Sequence, residues 1–131
     1  MRKVVVDTNI LVSALWSKQG NPFHILEMVF ENILTIYFTI EMIEEYESVL
    51  CREKFGFQRS RVNNLLQELL KNGILVESIA GADVFFDETN RKFYDTAKAN
   101  DATLITGNIK HYPDDPLVMT PFEFIKLILD N

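Results

Sequence analysis

The sequence predicts an α/β protein in which a mainly parallel sheet lies between two layers of helices. The main observation is that short apolar segments, typical of buried strands, alternate with longer segments whose apolar residues have helical spacing. The 131 residues, of which 47% are hydrophobic, are enough to bury one core. We therefore expect a single domain over residues 1–131.

Five segments are expected to form strands because they are short, apolar and rich in β-branched or aromatic residues. They lie at residues 3–6, 34–38, 74–78, 102–106 and 117–119. A helical segment separates most successive strands, and such crossovers connect parallel neighbours. The strands are therefore predicted to run in parallel.

Six segments have the apolar periodicity of helices, and turn or capping residues mark their ends. The first begins at residue 9, and the other five span residues 22–31, 40–52, 60–72, 90–100 and 121–130. Pro22 suits a first helical turn, Thr39 is a cap, Gly73 ends the fourth helix, and Thr120 with Glu123 forms a capping box.

The helical spacing also predicts which side chains enter the core. Ile40 is expected on the apolar face of the third helix together with Tyr46 and Leu50, and Leu70 on that of the fourth. Residues 81–89 are most simply a loop, in which residues 84–86 are alternatively a short extended piece.

Composition narrows the possible functions. No stretch is long and apolar enough for a membrane span or a signal peptide, so we expect a soluble cytoplasmic protein. Cys51 is the only cysteine, which excludes an internal disulfide and a cysteine-based zinc site. The net charge of −6 argues against binding through bulk positive potential, but not against a nuclease that gathers acids around metal ions.

Polar side chains at strand ends are the main candidates for chemistry. Asp7 and Asn108 follow the first and fourth predicted strands, so both are expected at the carboxyl edge of the sheet, where ligands bind. Glu45 joins them if its helix turns a polar face to this edge, and Asn90 opens the helix before the fourth strand. The alternatives are that Asp7 and Asn90 are helix caps and that Glu45 belongs to a solvated helix face.

At this point the chain resembles a known family, the PIN domain, named for the PilT N-terminus. The resemblance covers nearly the whole chain and rests on VVVDTNILVSAL, TIEMIEEYESVL, DETNRKFYDTAKANDATLITGN and VMTPFEFI, in that order. It implies a Rossmann-like α/β/α fold and ribonuclease activity that depends on Mg²⁺ or Mn²⁺. Many small bacterial members are toxins of VapC-like toxin-antitoxin pairs, so it also implies RNA as substrate, a cognate antitoxin and a homodimer.

The resemblance assigns four positions of a catalytic site. Asp7 matches the family's first acid, Glu45 the second, and Asn108 the fourth, which is Asp or Asn. Asp7, Glu45 and Asn108 are then the metal ligands. The third acid is replaced by Asn90, and Asp87, three residues earlier, is the alternative source of the missing charge. An amide oxygen coordinates a cation but does not neutralise it, so weaker metal binding is expected.

Further residues are expected to support this site. Asn9 completes the DTN motif, and Thr106 supplies a hydroxyl two residues before Asn108. Arg91 and Lys92 lie beside the presumed site and are well placed in the sequence to receive a phosphate.

A basic segment is a second candidate for contact with nucleic acid. Four cations lie close together in the sequence around Phe55 and Phe57, namely Arg52, Lys54, Arg59 and Arg61. Guanidinium groups bind phosphates and aromatic rings stack on bases. The alternative is a solvated loop with the phenylalanines packed beneath it.

The sequence is therefore compatible with three functions. The first is a metal-dependent endoribonuclease, and the second is a PIN-like module that binds RNA or a protein and has lost turnover with the change to Asn90. The third is a phosphoryl-transfer or receiver domain with Asp7 as acceptor. Asn9 argues against the third, because the second acid used in such chemistry is missing there.

Overall fold

The computed structural model describes residues 2–82 and 87–130 and contains a five-stranded parallel sheet. The strand order is β3-β2-β1-β4-β5. The strands are β1 (Arg2–Val6), β2 (Leu34–Phe38), β3 (Ile74–Leu75), β4 (Thr103–Ile105) and β5 (Val118–Met119). Every neighbouring pair is parallel, which confirms the predicted α/β fold.

The helices lie where the apolar periodicity predicts them, with ends shifted by one or two residues. They are α1 (Thr8–Trp16), α2 (Asn21–Phe30), α3 (Ile40–Leu50), α4 (Arg59–Asn72), α5 (Arg91–Ala99) and α6 (Pro121–Leu129). Short 3-10 turns lie at Glu53–Phe55, Glu88–Asn90 and Ile109–His111. Within the described residues, no helix is long and apolar enough to cross a membrane.

The predicted capping residues begin and end these helices. The Thr39 hydroxyl accepts a hydrogen bond from the Met42 N–H at 3.2 Å, and Thr120 forms a capping box with Glu123. Gly73 ends α4, but its φ of −101° is not left-handed. A Cβ at this position would lie 2.4 Å from the Phe38 ring, so glycine is needed for close packing against β2.

Three local predictions are wrong: the length of one strand and the burial of two side chains. The predicted strand at 74–78 has only two paired residues, because β3 is an edge strand whose Ile74 and Leu75 side chains are both exposed. Ile40 and Leu70 are 54% and 49% exposed, because each lies at the margin of its helix's apolar face. The extended piece considered for residues 84–86 lies outside the described residues.

The central strand β1 positions the candidate site. Val4, Val5 and Val6 are completely buried, as expected for a parallel strand covered on both faces. Val6 pairs with Ile105 of β4, so the residues that follow them leave the sheet side by side. The strand order reverses direction between β1 and β4, and crevices at such points are where open α/β sheets bind ligands.

Candidate functional site

Asp7 and Thr106 are the two residues that leave the sheet at this switch point. The Asp7 N–H continues the ladder by donating to the Ile105 carbonyl at 3.0 Å. Asp7 and Thr106 are 7% and 0% exposed, although both side chains are polar. The buried strands therefore hold a carboxyl and a hydroxyl together at the carboxyl edge of the sheet.

The Asp7 carboxylate is held by two hydroxyl donors. Thr106 and Tyr112 each donate to its Oδ2, at 2.8 Å in both cases. Asp7 occupies the cap position of α1, but its side chain makes no capping hydrogen bond. The alternative that Asp7 serves as a side-chain cap is therefore wrong: its carboxylate is directed to residues from the other end of the chain.

The surroundings of Asp7 have opposing effects on its protonation. Burial raises the pKa of the Asp7 carboxyl above its ordinary value, and the nearby Glu45 carboxylate adds to the rise. The hydrogen bonds from Thr106 and Tyr112 lower the pKa. Burial and the charge of Asp7 raise the pKa of the Tyr112 hydroxyl, which therefore remains a donor at neutral pH.

Glu45 lies beside Asp7 because α3 begins next to it, at the carboxyl end of β2. The Thr8 hydroxyl donates to Glu45 Oε2, and Lys92 Nζ lies 2.7 Å from Glu45 Oε1. The Glu45 side chain is only 27% exposed. The alternative that Glu45 belongs to a solvated face is therefore wrong, although its neighbours Glu44 and Glu47 are exposed.

The loop after β4 is fixed to the start of α1 through Asn9. The Gly107 N–H donates to Asn9 Oδ1 at 3.0 Å, and Asn9 Nδ2 lies 3.5 Å from Thr106 Oγ1. The Asn108 N–H also donates to Thr106 Oγ1, at 3.1 Å, and the Asn108 side-chain amide lies 2.9 Å from His111 Nε2. Asn9 and Thr106 thus set the position of Asn108.

The turn before α5 holds Asn90 and Asp87. Asn90 is half-buried and precedes the helix, but its side chain makes no capping hydrogen bond. Asp87 is exposed, and its Oδ1 accepts from the Thr89 N–H at 2.9 Å and from the Thr89 hydroxyl at 2.7 Å. These bonds lower the pKa of Asp87 and hold its carboxylate within its own turn.

The two cations at the start of α5 have different surroundings. Lys92 contacts Glu45, whereas Arg91 binds the Glu88 carboxylate, with Nε 2.5 Å from Oε2, and donates to the Gly81 carbonyl at 3.2 Å. Arg91 Nη1 also lies 3.5 Å from Asp95 Oδ2. The Arg91 guanidinium is therefore engaged by protein groups, and Lys92 is the cation that the structure places in contact with a predicted site residue.

Three residues of this region were missed by sequence reasoning. Tyr112 lies in a segment without strand or helix periodicity, and nothing local links it to Asp7, which is 105 positions away. The buried Tyr46 hydroxyl donates to the Val6 carbonyl. The helical spacing predicts only that Tyr46 lies on the apolar face of α3, and not this hydrogen bond. Asp95 is 7% exposed. The sequence feature that could have indicated its burial is the position of this carboxylate among the buried residues of α5.

Two of the four cations of the basic segment, Arg52 and Lys54, lie in the connection between α3 and α4, and the other two lie in the first turn of α4. Arg59 binds Glu47 at 3.2 Å, and Arg61 donates to the Leu15 carbonyl at 2.8 Å. Lys54 Nζ lies over the Phe55 ring, 5.1 Å from its centroid, and Arg52 is exposed. Phe55 and Phe57 are only half-buried.

The donor set at the edge of the sheet suits a hard divalent cation. Asp7 and Glu45 place two carboxylates there, and the backbone N–H of Asn108 is bound to Thr106, which itself donates to Asp7. Mg²⁺ prefers oxygen ligands and often uses one or two carboxylates, with water at its other positions. In the part of the chain that the structure describes, no three His, Cys, Asp or Glu residues are grouped to hold a metal.

Comparisons with known proteins agree with this fold. The chain matches the profile of the PIN domain over residues 3–110 and therefore belongs to the PIN domain family. It is 29% identical over 110 residues to the uncharacterized protein MJ1680 of Methanocaldococcus jannaschii, a match that covers 81% of this chain and 70% of that protein.

A solved structure shows the same fold. The crystal structure of VapBC2 from Rickettsia felis bound to a DNA fragment from their promoter contains a chain that superposes with a TM-score of 0.60. The match covers 90% of this chain and 96% of that chain, at 19% sequence identity. The Rossmann-like arrangement implied by the resemblance is thus confirmed for the fold.

Proposed function

We propose that this PIN domain protein is an endoribonuclease that depends on Mg²⁺ or Mn²⁺. The observation that supports it best is the pairing of Asp7 and Glu45, whose carboxylates lie at one edge of the sheet and are linked through Thr8. A buried carboxyl with a raised pKa and a second carboxylate next to it are typical of functional sites.

In this proposal, Asp7, Glu45 and Asn108 hold the cation and the other residues orient them. A bound divalent ion supplies a Lewis acid that activates water and neutralises the charge that develops on the phosphodiester. Thr106 and Tyr112 fix the Asp7 carboxylate through Oδ2. Lys92 is close enough to Glu45 to contact a phosphate oxygen of an RNA bound at the same edge.

The position of Asn90 limits how much negative charge the site offers. The proposal gives Asp87 no ligand role, because its Oδ1 already accepts from the Thr89 N–H and the Thr89 hydroxyl. Asp7 and Glu45 then supply the charge of the site, and Lys92 neutralises part of it. We therefore propose that the metal binds more weakly here than in a site with a third carboxylate.

A second candidate is a PIN module that binds RNA or a protein without cleaving it. It is favoured by one observation: within the described residues, Asp7 and Glu45 are not joined by a third acid or histidine that could complete a metal cluster. Metal-dependent cleavage separates the two functions.

The decisive experiment compares wild-type protein and Asp7→Asn on single-stranded RNA. We expect cleavage with Mn²⁺ or Mg²⁺, none with chelator, and a loss of at least two orders of magnitude in Asp7→Asn, which removes a ligand charge. The control is Asp101→Asn, an exposed residue whose φ of 53° asparagine tolerates. Cleavage that survives both Asp7→Asn and chelator rules out the metal nuclease.

We further propose a toxin role with an antitoxin partner and a homodimeric state. The Rickettsia felis structure holds VapBC2 with a DNA fragment from their promoter, and its likeness to this chain is one of fold. A small reading frame directly beside this one is the expected source of the antitoxin. Co-expression followed by light scattering on the purified protein tests both the partner and the dimer.

A further inference from the structure

Three aromatic rings form a cluster at the far end of α1. The Trp16 ring centroid lies 5.5 Å from that of Phe55 and 5.6 Å from that of Phe57, and the two phenylalanine centroids are 5.7 Å apart. We call this cluster of Trp16, Phe55 and Phe57 the aromatic shelf. It brings together the last residue of α1 and the connection between α3 and α4.

The connection is built to place both phenylalanines on the same side. Gly56, between them, has a φ of +67°, a left-handed conformation that favours glycine. Phe55 and Phe57, on either side of this turn, stack with an interplanar angle of 16°.

The aromatic shelf is open to solvent at Trp16. The indole is 61% exposed, although tryptophan is the side chain with the largest apolar surface to bury. It meets Phe55 and Phe57 at interplanar angles of 89° and 78°, so neither ring stacks in parallel on the indole. The Trp16 ring is thus supported from its edge and accessible to another planar group.

Positive charge surrounds the aromatic shelf in a chain whose net charge is −6. Residues 52–61 contain four basic residues and one acidic residue. Lys54 Nζ lies 5.1 Å from the Phe55 centroid, and Arg61 Cζ lies 5.9 Å from that of Phe57. Exposed aromatic rings combined with cations are the pattern that binds single strands, in which bases stack and phosphates meet the charges.

The aromatic shelf lies within reach of the proposed nuclease site. Helix α1 begins at Thr8, which contacts Glu45, and ends at Trp16. Eight residues of helix rise by about 12 Å, which is roughly the length of four stacked nucleotides. One strand of RNA can therefore span both places along the α1 and α3 side of the molecule.

We propose that the aromatic shelf is a binding site for single-stranded RNA, in which Trp16 stacks on a base and Arg52 and Lys54 contact phosphates. This inference rests on the proposed nuclease function, because the aromatic shelf would bind a part of the RNA substrate that is distant from the phosphodiester that is cleaved. The combination of stacking and charge favours RNA over a protein partner, whose apolar face would not require the surrounding cations.

Trp16 itself reports on this binding, because it is the only tryptophan in the chain. The probe is an unstructured oligouridine of about twelve nucleotides, titrated in chelator so that no metal-dependent cleavage occurs. We expect saturable quenching of Trp16 fluorescence. A shelf that serves a protein partner instead gives no quenching by RNA, and that result overturns the proposal.

Variants test which groups bind the RNA. Binding measured by fluorescence anisotropy of a labelled oligouridine should weaken about tenfold in Trp16→Ala and recover in Trp16→Phe. Phe122→Ala removes another exposed ring, on α6, and should leave binding unchanged. Circular dichroism confirms that each variant is folded. Equal affinity of Trp16→Ala and wild type overturns the proposal.

Salt dependence tests the two cations separately from the ring. In Arg52→Gln with Lys54→Gln, the slope of log affinity against log salt should fall by about 0.7 for each lost phosphate contact. Lys71→Gln, at the exposed end of α4, is the control. An unchanged slope in the double variant excludes phosphate contact by this segment.

Failure of this proposal can be distinguished from failure of the nuclease function, because the two are measured under different conditions. The binding measurements are made in chelator, whereas cleavage requires metal and Asp7. Tight binding through Trp16 without any cleavage supports the aromatic shelf and rejects the nuclease. Cleavage that is unaffected by Trp16→Ala, together with unchanged binding, supports the nuclease and rejects the aromatic shelf.

Discussion

Lys92 Nζ lies 2.7 Å from Glu45 Oε1 and joins the start of α5 to the second turn of α3. Both side chains are mostly buried, at 23% and 27% exposure, and the same ammonium contacts the Thr89 carbonyl in the turn before α5. The hydroxyl of Thr8 holds the other oxygen of Glu45. A cation that binds Glu45 through Oε1 therefore competes with Lys92.

Lys92→Gln should accordingly tighten Mn²⁺ binding. Removal of the ammonium leaves the Glu45 charge uncompensated, and we expect an increase in affinity of about fivefold, the size expected for a partly exposed ion pair. Calorimetric titration with Mn²⁺ measures it. Lys98→Gln is the matched control, because Lys98 lies on the same helix and pairs with Asp115 at 3.5 Å. Equal affinities in all three proteins contradict the competition.

Tyr112→Phe should destabilise the protein through Asp7. The substitution removes one of the two hydroxyls that donate to Asp7 Oδ2 within a buried site. A hydrogen bond to a charged group contributes about 2 kcal/mol, so we expect a decrease of that order in the free energy of unfolding. Urea denaturation at pH 7 measures the change. Tyr37→Phe, at a half-buried position of β2, should change it by less than about 0.5 kcal/mol.

The sheet could be predicted from the sequence because its main signal is local. A buried parallel strand requires a short continuous apolar run, and β1 and β2 were located to within one residue of their ends. The edge strand β3 was predicted too long, since its apolar residues are followed by exposed positions that make no further pairs. Whether a strand is central or at the edge depends on distant partners.

The site was only partly predictable for the same reason. Asp7 could be chosen because the end of a strand is a local feature, and the register with β4 explains why Thr106 lies beside it. Tyr112 makes its contact with Asp7 across 105 positions, and its own segment has no periodicity. The pairing of Lys92 with Glu45 depends on how α5 packs against α3. The sequence of either helix by itself does not determine this packing.

Asp115 should make a pH-dependent contribution to stability. The Leu117 N–H, the Tyr94 hydroxyl and Lys98 lower the pKa of its carboxyl below the ordinary value of 3.8. Because the folded-state pKa is the lower one, this stabilisation is complete above the unfolded-state pKa and is lost as the pH falls through the folded-state pKa.

Asp115→Asn tests this dependence. We expect it to lower the free energy of unfolding by about 1 kcal/mol at pH 7, allowing for solvent screening, and the difference from wild type to shrink below about pH 4. Urea denaturation from pH 7 to pH 3 measures both proteins. Asp114→Asn, at the exposed neighbouring position, should show a smaller difference. A difference for Asp115→Asn that stays constant down to pH 3 contradicts the assignment.

Asn90→Asp should strengthen the proposed metal site. Asn90 is half-buried in the turn before α5, two residues from Lys92, and its side chain makes no capping hydrogen bond that the substitution would break. A carboxylate there adds the charge that the amide lacks, at the position that the family resemblance assigns to the third acid. We expect Mn²⁺ to bind about tenfold more tightly and RNA cleavage to increase.

The control for Asn90→Asp is Asn63→Asp, which adds the same charge on the exposed face of α4. Calorimetric titration and a cleavage assay are applied to both variants and to wild type. Unaltered Mn²⁺ affinity in Asn90→Asp means that position 90 does not contribute to the metal site. Tighter binding without any cleavage favours the RNA- or protein-binding module, because a metal site of full charge would then still lack turnover.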